Sequence, residues 1–297
     1  MTPAEYCQNK AAKSGSSFYY SFMFLPEKQR LAITALYAFC REVDDVVDEC
    51  HDADVARAKL NWWRQEILNT FNKEKKPNHP VCLELVNIIE QFDLPQEHFL
   101  EIIDGMEMDL QQTRYDTFAD LGLYCYRVAS VVGLMAAEIF GFQDQKTLEY
   151  ANKLGLAFQL TNILRDVRED ASLGRIYIPA EELKSFGVSE NDILNHHCNE
   201  SVRNLMDFQA KRAKQYYEEA FALLPEKDRY SQRTGLIMAA IYMATLNTII
   251  TDSCQVMEKR ISLSPIRKLW LSWNTARKEK RRYSRYSRNK KQPATTG

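Results

Sequence analysis

The sequence predicts an all-α fold, one domain of helices bundled around a central cavity. Long segments carry apolar side chains at helical spacing, and no two segments show the alternation of paired strands. The 297 residues include only 10 glycines and 9 prolines, which argues for long helices over a sandwich or a doubly wound sheet. Aromatic residues form 11% of the chain, enough to line a cavity with rings.

The predicted helices follow one another with short breaks. Pro26 suits a helix start, Leu94-Pro95 separates two helices, and Gly141 suits the end of another. The predicted helices cover residues 26–48, 52–70, 81–93, 96–112, 117–141, 145–170, 180–185, 189–195, 199–224 and 233–257.

Composition narrows the function classes. The 39 basic and 40 acidic residues give a formal net charge of −1, so the whole chain makes no case for nucleic-acid binding. The seven cysteines form no CxxC pair and are odd in number, which favours a reducing cytosol over a disulfide framework or a zinc site. The chain has no uninterrupted run of about 18 apolar residues, so we expect no transmembrane helix. We also recognise no signal peptide. We expect a cytoplasmic protein.

A polar stripe runs through the apolar stretch GLAFQLTNILRDVREDASLGRIYIP, residues 155–179. Gln159, Asn162, Asp166 and Asp170 recur every three or four residues, so a helix places them on one face. The apolar surroundings predict a buried helix, in which unpaired carboxylates are costly. An oxygen ladder without nearby His or Cys suits a hard divalent cation such as Mg²⁺.

A second acidic cluster, in LAITALYAFCREVDDVVDE (residues 31–49), has the same character. Arg41, Asp44, Asp45 and Asp48 share one face of an apolar helix. Two such helices facing each other put carboxylates on opposed walls of a cavity, where they repel unless metal ions lie between them. Bound metal ions would in turn hold a polyanion, for which diphosphate is the natural candidate.

The metal ligands follow from this arrangement. Asp44 and Asp48 are predicted on one wall, and Asn162 and Asp166 on the opposite wall. Asp170 lies one turn further, near the rim of the cavity, and is the fifth predicted ligand.

The two arginines beside these acids have two interpretations. Arg41 and Arg165 either form salt bridges within their helices or donate to diphosphate oxygens, which suits guanidinium geometry. Asp45 points partly aside and is expected to contact substrate. Gln159 is either a satisfied core amide or a substrate contact.

Four motifs together resemble the squalene/phytoene synthase family, the head-to-head trans-prenyltransferases. YAFCREVDDVVDE and QLTNILRDVREDASLGRIYIP match its two aspartate-rich motifs, YCYRVASVVGLM its central signature, and SGSSFYYSFMFLP its opening substrate loop. The resemblance spans residues 14–183 and continues to about residue 272. It implies an isoprenoid synthase fold over residues 1–272 and two or three Mg²⁺ ions per active site. The chain most resembles the bacterial presqualene diphosphate synthases of hopanoid pathways.

The resemblance also implies roles for four further residues. Tyr124 belongs to the central signature and is expected to be catalytic, while Tyr37 and Tyr242 are expected in the substrate pocket, where ring faces favour a carbocation. Asp109 matches an acidic position near the cavity. The alternatives are core packing for the tyrosines and a surface helix for Asp109.

The opening loop departs from some relatives. Certain family members carry His and Lys there to hold the acceptor diphosphate, whereas this chain has Ser14, Ser16 and Ser17. The serines are expected to bind substrate through hydroxyl and backbone N–H groups. NADPH is not expected, although the lack of a GxGxxG motif is weak evidence because squalene synthases lack one too.

The expected reaction is Mg²⁺-dependent, head-to-head condensation of two farnesyl diphosphates to presqualene diphosphate with release of diphosphate. Alternatives within this class are phytoene formation from two geranylgeranyl diphosphates and squalene formation. An inactive family member acting as an assembly factor is disfavoured because both acidic motifs are complete. A terpene cyclase is disfavoured by the central signature. Other enzymes of the pathway are conceivable partners.

The C-terminal residues 273–297 are rich in Lys and Arg. Composition predicts a disordered, solvated tail. The alternative is docking on an anionic membrane, with Trp270 and Trp273 at the interface. That alternative adds reversible contact with the inner membrane face to the cytoplasmic location.

Overall fold

The computed structural model describes residues 1–13, 17–50, 52–251 and 255–291, and all regular structure in these ranges is helical. The all-α prediction is therefore confirmed. The helices are α1 (Pro3–Lys13), α2 (Ser17–Phe22), α3 (Glu27–Glu49), α4 (Ala53–Phe71), α5 (Pro80–Phe92), α6 (Gln96–Gln111), α7 (Phe118–Cys125), α8 (Val131–Phe140), α9 (Lys146–Arg165), α10 (Val167–Ser172), α11 (Ala180–Ser185), α12 (Glu190–Leu194), α13 (Glu200–Leu223), α14 (Arg233–Thr251), α15 (Gln255–Glu258) and α16 (Pro265–Lys291). A π-helical segment, Tyr126–Ser130, joins α7 to α8.

Helices α9 and α3 are the centres of two packed halves. Helix α9 packs against α13, α14, α8 and the π-helical segment, and it is buried on most sides, as its apolar composition predicts. Helix α3 packs against α1, α5 and α6. Each half has its own cluster of buried apolar side chains, and Phe18 and Val128 contact both clusters. The two acidic motifs thus lie on the central helices of adjoining halves.

The π-helical segment interrupts what the sequence predicts as one helix over residues 117–141. It packs closely on α9, where Ser130 Oγ donates to the carbonyl oxygen of Asn152 at 2.9 Å. A Cβ added to Gly155 would lie 2.6 Å from the carbonyl oxygen of Ala129 and 2.7 Å from Cα of Ser130. Only glycine allows the two backbones to approach this closely.

Two other predicted helices are also divided. The helix predicted over 145–170 ends at Arg165, and α10 begins after Asp166. The ladder is therefore not continuous: Asn162 is on α9, Asp166 is at the junction and Asp170 is on α10. The helix predicted over 233–257 ends at Thr251, and α15 is separate from it.

Two helical stretches, Phe118–Phe140 and Arg233–Thr251, are long and apolar enough to cross a membrane by length and composition. The expectation that the chain has no transmembrane helix stays a prediction. Both stretches pack against α9 and contribute residues to the wall of the apolar cavity. A position in the core accounts for their composition, because helices buried among other helices lack a polar face.

Among the cysteines in the described ranges, Cys198 departs from the expectation. Five are free thiols: Cys7, Cys40, Cys50, Cys82 and Cys125. Cys198, by contrast, is disulfide-bonded. Sequence spacing does not reveal which cysteines a fold brings within bonding distance.

The C-terminal segment is the clearest correction to the predicted organisation. Residues up to Lys291 belong to α16, which packs against α14 and α2, where the sequence predicts disorder from residue 273. The helix is held because Glu279 is buried and accepts hydrogen bonds from Arg229 at 3.0 and 3.1 Å. The separation of a domain ending at residue 272 from a basic tail stays a prediction.

We predict that Gly155→Ala lowers the free energy of unfolding by about 1–3 kcal/mol, the usual cost of inserting a methyl group into a packed core. The reason is the overlap with the backbone of Ala129 and Ser130. Gly122→Ala is the matched control, because nothing lies within 4 Å of its added Cβ, and it should be neutral or stabilising. Urea unfolding of both variants tests this, and equal effects would contradict it.

Candidate active site

The first acidic cluster occupies the last turns of α3. Arg41 donates to Asp44 and to Asp45, both at 2.5 Å. Lys10 of α1 also pairs with Asp45, at 2.7 Å. Asp45 is therefore held by two cations, which is consistent with its predicted position aside from the metal ligands. Arg41 forms the salt bridges that its first interpretation proposed, and its contact with diphosphate stays a prediction.

The second acidic cluster lies where α9 gives way to α10. The side-chain amide of Asn162 donates to Gln159 at 3.2 Å, and its buried Oδ1 has no hydrogen-bond partner within the described ranges. Asp166 receives paired hydrogen bonds from Arg165, at 2.8 and 2.5 Å, and from Arg260, at 2.7 and 3.3 Å. Burial alone would raise the pKa of Asp166, but these two arginines hold it below its ordinary value.

Basic side chains from three parts of the chain lie together at the end of α9. Burial lowers the pKa of Lys268, which lies near the start of α16. The charges of the nearby Arg165 and Arg260 lower it further. Arg165 also bonds to the hydroxyl of Tyr242. Two arginines therefore bond to a single carboxylate, and a lysine lies near both of them. Such a group can bind a further anion.

Asp109 of α6 lies between the two acidic clusters and is buried, so it is not a surface residue. Its carboxylate oxygens accept hydrogen bonds from Tyr124 at 3.0 Å and from Tyr177 at 2.8 Å. The Tyr177 ring stacks on those of Tyr124 and Tyr115. Burial raises the pKa of Asp109 to about 6, against the effect of the tyrosine hydrogen bonds.

Arg175, in the loop after α10, interacts with both clusters. Its guanidinium lies 3.8 Å from the Asp48 carboxylate, and its charge also acts on Asp109. Burial and then the charge of Asp166 raise the pKa of Asp170 to about 7, while Arg175 opposes the rise. Because Arg175 and Asp109 act on acids of both clusters, these clusters face one common space.

Asp44 completes the acidic rim of this space. Burial raises its pKa to about 7; Arg41 opposes the rise, and the charges of Asp48 and Asp45 add to it. Asp44 and Asp170, which belong to different acidic clusters, both have pKa values near neutrality. A bound cation would lower both pKa values by stabilising the charged forms.

An apolar cavity extends from this space into the molecule. Its lining includes Asn162 and Gln159, the ring of Tyr37, and Tyr150 and Phe140. Its volume is about 840 Å³ including the open mouth. Tyr150 lies twelve residues before Asn162 on α9, a distance of about 18 Å along a helix. The cavity can therefore hold a long apolar chain.

The aromatic predictions fall beside the cavity. Tyr37 is in its wall, with its ring 5.5 Å from that of Phe18. Tyr242 packs against Phe158, with the ring centroids 4.7 Å apart, and Tyr124 faces Asp109. These positions fit the predicted roles without testing them.

Part of the predicted substrate site lies outside the described residues. Ser14 and Ser16 fall in the undescribed segment, and Ser17 begins α2 with its side chain also outside the description. Substrate binding by these three serines stays a prediction.

The donor set fits Mg²⁺ by its chemistry. It offers the Asp44, Asp48 and Asp170 carboxylates and the unpaired Oδ1 of Asn162, all oxygen donors. Within the described ranges no three His, Cys, Asp or Glu side chains form a ready-made metal cage. Mg²⁺ commonly binds through one or two carboxylates together with substrate phosphates and does not need such a cage.

Sequence reasoning missed several cations and one tyrosine of this site: Lys10, Arg175, Tyr177, Arg260 and Lys268. Arg175 and Tyr177, in GRIYIP, stand at the end of the second acidic motif, and their closeness in sequence to Asp170 was the available signal. The other three come from distant parts of the chain. No local pattern marks them, because only the tertiary fold brings them to the acids.

The fold and this site define a class: all-α proteins with an apolar cavity opening between two acidic clusters and a group of arginines. A family model for squalene/phytoene synthases matches residues 11–267. The chain belongs to the squalene/phytoene synthase family, whose members are prenyltransferase-type enzymes. Enzymes of this family use a divalent metal with diphosphate substrates.

Individual relatives agree with this assignment. The 15-cis-phytoene synthase of Synechococcus elongatus is 35% identical over 277 residues, covering 89% of each chain. The presqualene diphosphate synthase of Sinorhizobium fredii is 36% identical over 248 residues, covering 83% of this chain and 88% of the relative. A dehydrosqualene synthase crystallised with a ligand superposes with a TM-score of 0.82 at 32% identity, covering 94% of this chain and 97% of that one. Phytoene synthases from Arthrospira platensis and from plants are also similar, at 32–37% identity.

We predict that stability without added metal falls as the pH rises from about 5 to about 8. The folded-state pKa values of Asp44 and Asp170, about 7, exceed the ordinary aspartate value of about 3.9. The folded state therefore binds more protons than the unfolded chain in this window, and the stabilisation disappears as both groups ionise. Urea unfolding in the presence of a chelator at several pH values measures the slope.

The same experiment with Mg²⁺ supplies the control. MgCl₂ should raise the melting temperature more at about pH 8 than at about pH 5.5, because the ligands must be deprotonated to bind metal. Asp44→Asn combined with Asp170→Asn should reduce both dependences, and the part that remains includes the contribution of Asp109, whose pKa is about 6. Wild-type stability that increases with pH across this window contradicts the assignment.

Proposed function

We propose that this protein catalyses the Mg²⁺-dependent, head-to-head condensation of two geranylgeranyl diphosphates to phytoene, with release of diphosphate. The observation that carries the reaction class is the opening of one long apolar cavity between two acidic clusters and a group of arginines. The sequence-based expectation placed farnesyl diphosphate first. The recurrence of phytoene synthases among the similar proteins favours the longer substrate.

The second candidate is the condensation of two farnesyl diphosphates to presqualene diphosphate. It is supported by the similarity to the presqualene diphosphate synthase of Sinorhizobium fredii and by the structural match to a dehydrosqualene synthase. The lining of the cavity does not separate a chain of fifteen carbons from one of twenty.

The cations at the cavity mouth bind and orient diphosphate in this proposal. Arg165 and Arg260 present guanidinium groups beside Lys268, and planar guanidinium donors match phosphate oxygens. Arg41 lies at the other acidic wall. Mg²⁺, when bound, would neutralise the charge that develops on the departing diphosphate.

The walls of the cavity protect the reactive end of the prenyl chain. Loss of diphosphate leaves an allylic cation, which ring faces stabilise. Tyr37 lines the wall, and the tilted rings of Phe158 and Tyr242 pack against each other beside it. The apolar lining excludes water that would otherwise capture the cation.

The buried Asp109 site holds or accepts a proton in this proposal. Its carboxylate lies between the hydroxyl groups of Tyr124 and Tyr177, and its pKa of about 6 allows either protonation state near neutrality. Loss of a proton is required when two prenyl units join through a cyclopropane. Tyr124 would act here by positioning Asp109.

Product analysis tests the proposal and separates the candidates. Purified protein is incubated with MgCl₂ and either geranylgeranyl or farnesyl diphosphate, with and without NADPH. We expect a forty-carbon hydrocarbon from geranylgeranyl diphosphate that does not require NADPH. Presqualene diphosphate as the sole product, from farnesyl diphosphate, supports the second candidate, and squalene formed only with NADPH supports squalene synthesis. No condensation product from either substrate overturns the proposal.

We predict that Asp44→Asn and Asp166→Asn each reduce turnover more than about 100-fold while the fold persists. Loss of an outer-shell partner costs about 10–100-fold, and loss of a ligand should cost more. Asp54→Asn is the matched control, because Asp54 has an exposed side chain in α4, away from the cavity. Circular dichroism and thermal melting check the fold. Near-wild-type turnover in both variants would refute the metal assignment.

A further inference from the structure

Helix α16 presents a continuous exposed face that the proposed reaction does not use. Ile266, Trp270, Trp273 and Arg277 recur at steps of four, three and four residues, which places them in one row along the helix. The two tryptophans are 57% and 51% exposed. Large apolar side chains clustered on a surface mark an interaction site more often than isolated ones do.

The second half of this face is basic. Beyond Arg277 the row continues with Lys280, Arg281 and Arg288, all exposed. None of these four side chains forms an ion pair with any residue in the described ranges. The helix thus carries an aromatic segment of about 10 Å followed by a basic segment of about 16 Å, at 1.5 Å per residue.

The opposite side of α16 fixes the orientation of this face. Glu279 is 3% exposed and bonds to Arg229. Tyr283 stacks on Tyr230 with ring centroids 4.5 Å apart, and Arg282 pairs with Glu226. The helix is therefore attached to the domain by one side, and the aromatic–basic row is held outward.

We propose that the α16 face, the row from Ile266 to Arg288, docks on the surface of an anionic lipid bilayer. Tryptophans suit the bilayer interface because their rings are apolar while the indole N–H is polar. Each Lys or Arg close to an anionic leaflet adds to the binding. Charge complementarity favours this occupant over a second copy of the chain, which would present the same positive charge.

Docking in this way brings the cavity wall close to the bilayer. Helix α16 packs against α2, whose Phe18 and Phe22 line the cavity. Met23, directly after α2, is exposed, and its neighbour Phe24 packs against the same buried cluster, centred on Ile237 and Ile241, as Leu271 of α16. A long apolar ligand could then pass between the bilayer and the cavity beside α2. This consequence depends on the proposed function, whereas the docking itself does not.

Vesicle co-sedimentation with the full chain tests the docking. We expect binding to vesicles of phosphatidylcholine with phosphatidylglycerol, weakened by high salt, and little binding to phosphatidylcholine alone. The variant R277Q/R281Q/R288Q removes three basic residues, each of which adds to binding near an anionic membrane surface. It should therefore reduce the partition coefficient roughly 100-fold. The matched control K73Q/K75Q/K76Q removes three positive charges from the loop after α4 and should bind like the wild type.

Tryptophan quenching by lipids brominated in their acyl chains tests the orientation. Trp270 and Trp273 should be quenched, and W270S/W273S should lose the quenching while keeping its melting temperature. Equal losses in the two charge variants, or binding without tryptophan quenching, overturn the proposal. DNA is added as a competitor to protein bound to anionic vesicles and to protein bound to heparin. Equally complete displacement from both would assign the α16 face to general polyanion binding, which would also overturn the proposal. All readouts are independent of catalytic activity.

Discussion

The cost of burying several carboxylates around one space is the constraint that organises this structure. Asp44, Asp109 and Asp170 all have raised pKa values because burial disfavours their charged forms. The protein offsets only part of this cost. Arg175 is shared between the two acidic clusters, and two tyrosine hydroxyls bond to Asp109. The uncompensated part of this cost favours cation binding, because a bound cation stabilises the buried carboxylates.

The backbone is shaped so that these acids can converge. The last turns of α3 border the common space and place the first cluster there. Helix α9 ends at Arg165, which places the second cluster beside the same space. The interruption at Asp166 separates Asn162 from Asp170, so that the two residues approach the space from different helices. The close contact at Gly155 has a related role, because it holds the π-helical segment, and with it the cavity wall, against α9.

Sequence reasoning recovered what local chemistry encodes. Helical periodicity predicted the all-α fold, and the spacing of Asp44, Asp166 and their neighbours predicted two acidic clusters inside apolar helices. It could not find Arg260 or Lys268, because their relation to Asp166 exists only in the folded chain. It also predicted disorder from residue 273 onward, and this range includes most of α16, from its composition. A single acid among many basic residues, Glu279, is buried against Arg229, and this tertiary pairing outweighs the local charge repulsion.

The arginines around Asp166 connect metal and substrate binding. Arg165 and Arg260 neutralise this carboxylate through paired hydrogen bonds, yet both are the proposed donors to diphosphate. If Asp166 ligates Mg²⁺ it must share or release these partners, and a released guanidinium is then free to bind phosphate oxygens. Each ligand would thereby strengthen the binding of the other, and this coupling is reciprocal by thermodynamic necessity. In the proposed reaction, a diphosphate without metal would meet arginines already paired with Asp166, so this one carboxylate would favour the metal-bound substrate.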